Sequence, residues 1–199
     1  AALAQQLISL FLEVVVAEDF EAEARAVLAA KPDLRLLTDP TVTQPPRATL
    51  EARAAGGGLL LMTADALPDD PRSWRTVTRR EPGEQELADL AFAWRVVRHV
   101  KSNAIVLARD GAIVGVGAGQ MNRVQSARLA VEQAGEETRG AVCASDAFFP
   151  FPDGLETCLR AGVTAVAEPG GSRRDDEVIA AADAADAAML FTGRRHFRH

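Results

Sequence analysis

The chain has 199 residues, of which 48% are hydrophobic and 25% are charged, and its net charge is −6. This length suffices for one large domain or two small ones with a sizeable core, and the composition is typical of a globular protein. The acidic balance argues against broad nucleic-acid binding, and no apolar run approaches the roughly 20 residues that a membrane-spanning helix needs. We therefore expect a globular protein without a nucleic-acid or membrane partner.

The chain contains only two cysteines, Cys143 and Cys158. They are too few for a disulfide framework or a zinc site of their own, and no HExxH or PCxxC pattern accompanies them. We therefore expect a reducing, cytoplasmic setting and no zinc. The first residues show neither an initiator Met nor a signal-peptide pattern and open on a helix-like stretch, so we expect a fragment of a longer protein.

The first third of the chain predicts a β-α-β unit followed by one more strand. A β-branched run at residues 11–17 predicts a strand, and an Ala-rich helix follows over residues 19–30. The strand expected at residues 34–37 would pair with the first in parallel, because a helix connects them. The run "GGGLLLM" at residues 56–62 predicts a buried strand.

The rest of the chain predicts a layered sheet. A broad apolar face at helical spacing indicates a long helix over residues 83–99, and Asp110-Gly111 between two apolar runs is a hairpin signal. The next helix should begin near Asn122 and end at Gly135. Strands and helices then alternate to the end, with strands at 141–145, 163–168 and 187–191 and helices at 154–162 and 175–186. This pattern favours an α/β fold in which an antiparallel hairpin continues into parallel strands.

Four polar or glycine-rich segments follow or precede these strands. They are "KSNA" (101–104), "GVGAGQMNR" (115–123), "SDAFFPFPDG" (145–154) and "EPGGSRRDD" (168–176). In open α/β sheets ligands collect where strands end, so we expect these segments to converge on one pocket.

Two of the segments leave two interpretations open. Gly115, Gly117 and Gly119 precede a helix whose N-terminal amides suit an anion, but their spacing fits neither a dinucleotide site nor a P-loop. The alternative, slightly favoured, is that they let the strand pass close to a neighbouring backbone. Arg123 in the first turn of that helix opposes the helix dipole unless it serves a ligand or an acidic partner. Residues 170–172 fit an anion site and an ordinary turn equally well.

The aromatic segment also has two interpretations. A carboxylate such as Asp153, set beside aromatic rings, can accept two parallel N–H donors from a heterocycle. Alternatively, Phe148, Phe149 and Phe151 are core residues and Asp153 caps a helix beginning at Gly154.

The C-terminal "RRHFRH" (194–199) is a local basic cluster. Such a tail is most often solvated. Because this tail directly follows a predicted buried strand, it must stay close to the end of that strand. Arg195 is then placed to reach a phosphate at the strand ends.

Taken together, the segments resemble a known family. The text "KSNAIV", "GVGAGQMNRV", "ASDAFFPFPDGLE", "EPGGSRRDDEVI" and "FTGRRHFRH" is similar to the formyltransferase region of bacterial enzymes that combine AICAR (aminoimidazole-carboxamide ribotide) formyltransferase with IMP cyclohydrolase. The resemblance implies transfer of a formyl group from 10-formyltetrahydrofolate to the 5-amino group of AICAR, in purine (IMP) biosynthesis. It also implies a cytidine-deaminase-like α/β/α layered mixed sheet without zinc, and a homodimer with shared active sites.

The resemblance further implies a domain organisation. Residues 1–85 would be the remainder of the central part of the formyltransferase domain, and residues 86–199 its C-terminal subdomain, with the cyclohydrolase domain outside this chain. The family's catalytic Lys-His pair would lie before Ala1, so we expect these residues alone to be inactive. His199 would at most assist proton transfer. The alternatives are a non-catalytic nucleotide-binding or dimerisation module and a different nucleotide enzyme on a deaminase-like fold.

The resemblance also assigns ligand-binding roles by position. The expected AICAR contacts are Asn103 and Arg123 from the partner chain, Phe148, and Arg195 as the phosphate ligand. The expected folate contacts are Val124, Asp153, Ser172 and Arg173, with Asp153 on the amino-pyrimidine edge of the pterin. A structural potassium ion would involve Ser102 and Asp146.

Overall fold

The computed structural model describes residues 1–44, 50–66 and 69–198. The chain divides into two compact units, Ala1–Ala66 and Leu67–His199. The boundary expected after residue 85 falls inside the second unit, where strand Arg75–Thr76 pairs with the last strand of the chain.

The first unit begins with a β-α-β segment. Its elements are α1 (Ala2–Leu7), β1 (Val14–Ala17), α2 (Ala22–Leu28) and β2 (Arg35–Thr38). Strands β1 and β2 pair in parallel, as predicted. Helix α2 begins later than expected, with Glu21 rather than Asp19 at its N-cap.

The first unit continues with an antiparallel hairpin of β3 (Leu50–Ala55) and β4 (Gly58–Thr63). Strand β3 was not anticipated, and the prediction of a buried strand is wrong. Leu59 and Leu60 are 71% and 63% exposed within the chain. The apolar run identifies a strand, but a two-stranded hairpin has no second layer of its own to cover the faces of its strands.

The second unit is built on a mixed six-stranded sheet. Its strands are β5 (Arg75–Thr76), β6 (Ile105–Arg109), β7 (Ala112–Gly117), β8 (Val142–Ser145), β9 (Ala165–Glu168) and β10 (Ala188–Phe191), in the order β5-β10-β9-β8-β6-β7. Strands β8, β9 and β10 are parallel, and β6 is antiparallel to both of its neighbours. The hairpin turn has positive φ angles at Asp110 (52°) and Gly111 (75°), as a two-residue turn of this kind requires.

Helices cover both faces of this sheet. They are α3 (Glu84–Val97), α4 (Arg123–Ala134), α5 (Pro152–Arg160) and α6 (Asp175–Ala184). Alternate strand residues face opposite cores: Val106 belongs to the core cluster that includes residues of α3, and Leu107 belongs to the cluster that includes residues of the other three helices. This α/β/α layering confirms the predicted fold class. Within the described ranges, no helix is long and apolar enough to cross a bilayer.

Candidate functional site at the carboxyl edge of the sheet

The polar segments all meet at one edge of the six-stranded sheet. Parallel strands β8, β9 and β10 end there, and β6 begins there because Ile105 lies opposite Ser145 of β8. Strand β7 returns to the same edge, with Gly117 opposite Ile105. We call this the carboxyl edge, and it comprises residues 101–104, 118–123, 146–153, 169–174 and 192–198. The expected convergence of the segments is therefore present.

The glycines before α4 are needed for close packing. A Cβ placed on Gly115 would lie 2.1 Å from the carbonyl oxygen of Ala130, and one on Gly117 would lie 1.8 Å from that of Ser126. Both distances are far inside van der Waals contact, so only glycine lets β7 approach α4 this closely. Of the two interpretations of these glycines, close approach to a neighbouring backbone is the one that the geometry supports.

Arg123, the first residue of α4, has an acidic partner inside the protein. The side chain is 8% exposed. Its Nη2 donates to Asp146 Oδ1 at 2.5 Å, and its Nη1 donates to the carbonyl oxygen of Phe148 at 3.1 Å. Asp146 is fully buried, so the pair neutralises two charges that could not be buried singly. Arg123 thus joins α4 to the segment after β8.

Glu168, the last residue of β9, is a buried acid that the sequence analysis did not single out. Its Oε2 accepts a hydrogen bond from the Phe149 amide at 2.7 Å, and its Oε1 has no partner among the described residues. Burial raises the pKa of this carboxyl to about 8, against the opposing effect of the Phe149 amide. Glutamate closing a run of small apolar strand residues was the available signal, because a buried strand rarely ends in an acid without a purpose.

Asn103 and Ser102 are held by backbone on both sides of the site. The Asn103 side-chain nitrogen donates to the Gln120 carbonyl at 2.9 Å. The Ser102 amide donates to the Arg198 carbonyl at 2.8 Å, and the Arg198 amide donates back to Ser102 Oγ at 3.1 Å. The start of β6 is therefore tied both to the loop before α4 and to the C-terminal segment.

The C-terminal segment is anchored to the second unit by His196, although several of its other side chains are exposed. His196 is 1% exposed, its ring centroid lies 4.7 Å from that of Trp94, and its Nε2 is 3.4 Å from Asp69 Oδ2. Arg194 pairs with the same Asp69 at 3.0 Å. Arg195, between these two anchors, is exposed and makes no ion pair within the described residues. His199 lies outside the described residues.

The three phenylalanines of the aromatic segment have different environments. Phe149 is fully buried, Phe148 is half-buried and Phe151 is 49% exposed. The Arg174 guanidinium lies over the Phe151 ring at 4.7 Å, which brings the segments after β8 and β9 together. Of the three, Phe149 is the core residue, whereas Phe148 and Phe151 retain accessible surface.

Asp153 lies inside the first turn of α5 and is not its cap. The helix begins at Pro152 with Phe151 at the N-cap position, so a helix beginning at Gly154 is wrong by two residues. Asp153 is exposed, and its Oδ1 accepts from the Gly154 amide at 2.8 Å. This carboxylate makes no other hydrogen bond within the described ranges. A Cβ on Gly154 would lie 3.7 Å from the Val124 amide nitrogen, so the starts of α4 and α5 are adjacent.

The amides before α6 already bind an anion that belongs to the chain itself. The Asp175 carboxylate accepts from the Gly171 amide at 2.8 Å and from the Ser172 amide at 2.9 Å. An external anion at these amides would have to displace it, so the turn interpretation fits better than the anion site. Arg173, next in the chain, is exposed.

The expected potassium ligands differ in availability. Asp146 Oδ2 is buried and has no hydrogen-bond partner within the described part of the chain. Among the described residues, Ser102 Oγ accepts one hydrogen bond, from the Arg198 amide, which leaves it one lone pair. Oxygen donors of this kind suit a hard cation. Among the described residues, no group of three His, Cys, Asp or Glu side chains could hold a metal ion.

These features define a class of protein, namely open-sheet α/β proteins. In this one, charged, aromatic and amide groups lie together at the edge of the sheet where ligands bind in such folds. The chain belongs to the AICARFT/IMPCHase bienzyme family, whose model matches residues 1–133.

Several bacterial relatives carry the name bifunctional purine biosynthesis protein PurH. The chain is 52% identical over 209 residues to the protein from Cereibacter sphaeroides, an alignment that covers all of this chain and 40% of the relative. It is 54% identical over 206 residues to that of Dinoroseobacter shibae, with 98% of this chain and 39% of the relative covered. It is 53% identical over 205 residues to that of a Chelativorans species, with 98% of this chain and 38% of the relative covered. The chain thus spans about 40% of the length of the curated relatives it matches.

Proposed function

We propose that this chain is the C-terminal part of an AICAR formyltransferase and acts in purine biosynthesis. The observation that carries the proposal is the convergence of the five segments of the carboxyl edge, in a chain that belongs to the bienzyme family. A transfer between two ligands needs one region with groups suited to each, and this edge offers both.

The AICAR side of the proposed site uses an exposed cation and an aromatic ring. Arg195 is exposed between two anchored neighbours, which suits a phosphate ligand because guanidinium can bind phosphate with two hydrogen bonds. Phe148 offers a half-buried ring face to the imidazole. Asn103 and Arg123 would contact AICAR from the partner chain of a homodimer. For Arg123, that role adds to its ion pair with Asp146.

The folate side of the proposed site uses the first turn of α5. Asp153 presents an exposed carboxylate with one oxygen that is not hydrogen-bonded within the described residues. Such a group suits the amino-pyrimidine edge of 10-formyltetrahydrofolate, which offers parallel N–H donors. Val124 lies beside this turn, and Ser172 and Arg173 complete the proposed folate site.

The chemistry explains why the site must be large. The amine of AICAR is a weak nucleophile, so formyl transfer requires removal of its proton, stabilisation of an oxyanion and protonation of the departing N10. The chain has two lysines, at positions 31 and 101, and neither is followed by histidine. The family's catalytic Lys-His pair is therefore not among these residues, and we expect the 199 residues alone not to catalyse transfer.

Three further properties belong to the same proposal. The protein would act in the cytoplasm as a homodimer with shared active sites. Asp146 Oδ2 and Ser102 Oγ would contribute to a potassium site, where the ion would offset the buried negative charge of the carboxylate.

The test is a formyl-transfer assay on the full-length protein that contains this chain, with 10-formyltetrahydrofolate and AICAR. The variant Asp153→Asn should raise the folate KM or lower kcat by about tenfold or more, since a charge-assisted pair is lost. Asp176→Asn, an exposed acid on α6, is the matched control. If the unsubstituted full-length protein catalyses no transfer but binds AICAR, the chain is a non-catalytic module and the proposal fails. Unchanged kinetics in Asp153→Asn would remove Asp153 from the folate site.

A further inference from the structure

The peptide group between Phe148 and Phe149 is held at both ends by buried side chains, the guanidinium of Arg123 and the carboxyl group of Glu168. Its carbonyl oxygen accepts from Arg123 Nη1 at 3.1 Å, and its N–H donates to Glu168 Oε2 at 2.7 Å. A peptide group is planar, so fixing its carbonyl and its N–H fixes the orientation of the whole unit. The two anchors come from different elements, α4 and β9.

The two flanking side chains show what this orientation does. Phe149 is fully buried, and its ring lies 3.1 Å from where a Cβ on Gly154 would be. Phe148, on the other side of the peptide, is only half-buried. The buried ring and the two hydrogen bonds therefore hold the backbone from which the Phe148 ring projects.

We infer that Glu168 is a positioning residue that, through the Phe149 amide, sets the orientation of the Phe148 ring toward AICAR. This inference rests on the proposed function, which places Phe148 on the substrate. Glu168 acts through the peptide, because its carboxyl contacts the backbone N–H and lies in a fully buried position. Burying an acid is costly unless it is hydrogen-bonded, and among the described residues Oε2 has only the Phe149 amide as its partner.

The electrostatic surroundings make the contact depend on pH. Burial raises the pKa of Glu168 to about 8, and the Phe149 amide and the charge of Arg123 oppose this shift. The titratable and charged groups that face it are Arg123 at the start of α4, Cys143 of β8 and Asp175 at the start of α6. Below about pH 8 the carboxyl is mainly protonated; above it the carboxylate accepts the amide hydrogen bond more strongly.

The sequence offers a selective probe of this peptide. Phe148 and Phe149 are the only consecutive phenylalanines among the eight in the chain. Labelling with carbonyl-¹³C and amide-¹⁵N phenylalanine therefore gives one carbonyl-to-amide NMR correlation, which reports the Arg123 and Glu168 contacts together. The experiment follows this signal in the full chain from about pH 6 to about pH 9.5.

The variants separate charge from hydrogen bonding. In the unsubstituted chain the signal should titrate with a midpoint of about 8. Glu168→Gln keeps an acceptor but cannot ionise, so the titration should vanish. Glu132→Gln, an exposed acid on α4, is the control and should titrate like the unsubstituted chain. A signal that titrates equally in Glu168→Gln, or whose chemical shifts at every pH are the same in Glu168→Gln as in the unsubstituted chain, would show that Glu168 does not hold this peptide.

The positioning role is tested by AICAR binding to the full-length protein. Glu168→Met, which lacks an acceptor at similar length, should raise the Kd for AICAR by about tenfold, and Glu168→Gln should raise it less. The ratio of the Kd values of Glu168→Gln and the unsubstituted protein should also change with pH, with a midpoint of about 8. If Glu168→Met failed to fold, this pH dependence would by itself test the positioning role.

The failures of the two proposals are distinguishable. If both Glu168 variants bind AICAR as Glu132→Gln does at every pH, the positioning role is refuted and the proposed function stands. If the unsubstituted protein does not bind AICAR, the proposed function fails together with the substrate named here. The NMR signal then still decides whether Glu168 holds the peptide.

Discussion

Replacing Glu168 with glutamine should change how the stability of the second unit depends on pH. The carboxyl is fully buried, and its burial raises its pKa to about 8 from an ordinary 4.5. Between these two values the folded chain keeps the proton, whereas the unfolded chain has released it. The stability that Glu168 contributes is therefore complete below about pH 4.5 and is lost as the pH rises through about 8.

The magnitude follows from the two pKa values. Their difference is about 3.5, and at about 1.36 kcal/mol per pH unit the loss is at most about 5 kcal/mol. Glutamine stays neutral, so the variant does not undergo this loss. Relative to the unsubstituted chain, Glu168→Gln should therefore become more stable by up to about this amount between pH 5 and pH 9.

Urea unfolding followed by tryptophan fluorescence is the appropriate assay. The chain has only two tryptophans, Trp74 and Trp94. Both are buried in the second unit, with ring centroids 5.8 Å apart. Their fluorescence therefore reports the unit that contains Glu168. Taking the difference between variant and unsubstituted chain at each pH cancels groups that titrate equally in both.

One result would refute this reasoning. If the free energies of unfolding of the two proteins run parallel from pH 5 to pH 9, Glu168 is ionised in the folded chain near neutral pH. The pH dependence expected for the Phe149 amide would then be wrong as well.

Three further substitutions test the fold. Gly117→Ala should lower the free energy of unfolding by about 3 kcal/mol or more, because its Cβ would lie 1.8 Å from the Ser126 carbonyl oxygen. Urea unfolding measures this change. A loss below about 1 kcal/mol would contradict the close approach of β7 to α4. Burial opposes the ionisation of Glu86, but hydrogen bonds from Arg80 and others outweigh it and lower the pKa to about 2. Glu86→Gln should thus lower the free energy of unfolding by about 1 kcal/mol at neutral pH, allowing for solvent screening. The difference in stability between variant and unsubstituted chain should shrink as the pH falls from 4.5 toward 2. A difference in stability that does not depend on pH would contradict the low pKa of Glu86. Asp89 accepts hydrogen bonds from both turn amides of the β6–β7 hairpin. Asp89→Asn should therefore lower the free energy of unfolding by about 1–2 kcal/mol and speed hydrogen exchange at those two amides. Unchanged exchange rates would argue against this contact.

Local sequence signals predicted the elements of the second unit well. Asn122 caps α4, and Gly135 ends it with a φ angle of 53°. The Asp110-Gly111 turn and the mixed sheet are also as expected. Such signals act over a few residues, so the order of amino acids carries them in full. The strand-end positions of the candidate site follow from the same reasoning, because strand direction decides which loops share an edge.

Long-range partners were beyond that reasoning. The sequence showed that Arg123 needed a ligand or an acid, but only the tertiary structure pairs it with Asp146, 23 positions away. Nothing local marks Glu168 as the acceptor for the amide of Phe149. The exposed hairpin strand β4 was misread for the same reason, since hydrophobicity identifies a strand but not what covers it.

The sequence by itself determined the alternation of strands and helices and the family resemblance, since both depend on residue types in order along the chain. Only the tertiary structure decided which charged groups are buried, which are paired and which remain exposed at the carboxyl edge. The physical reason is that the pKa, the desolvation and the partner of a side chain depend on neighbours in space. At Arg123 and Glu168 those neighbours come from distant parts of the chain.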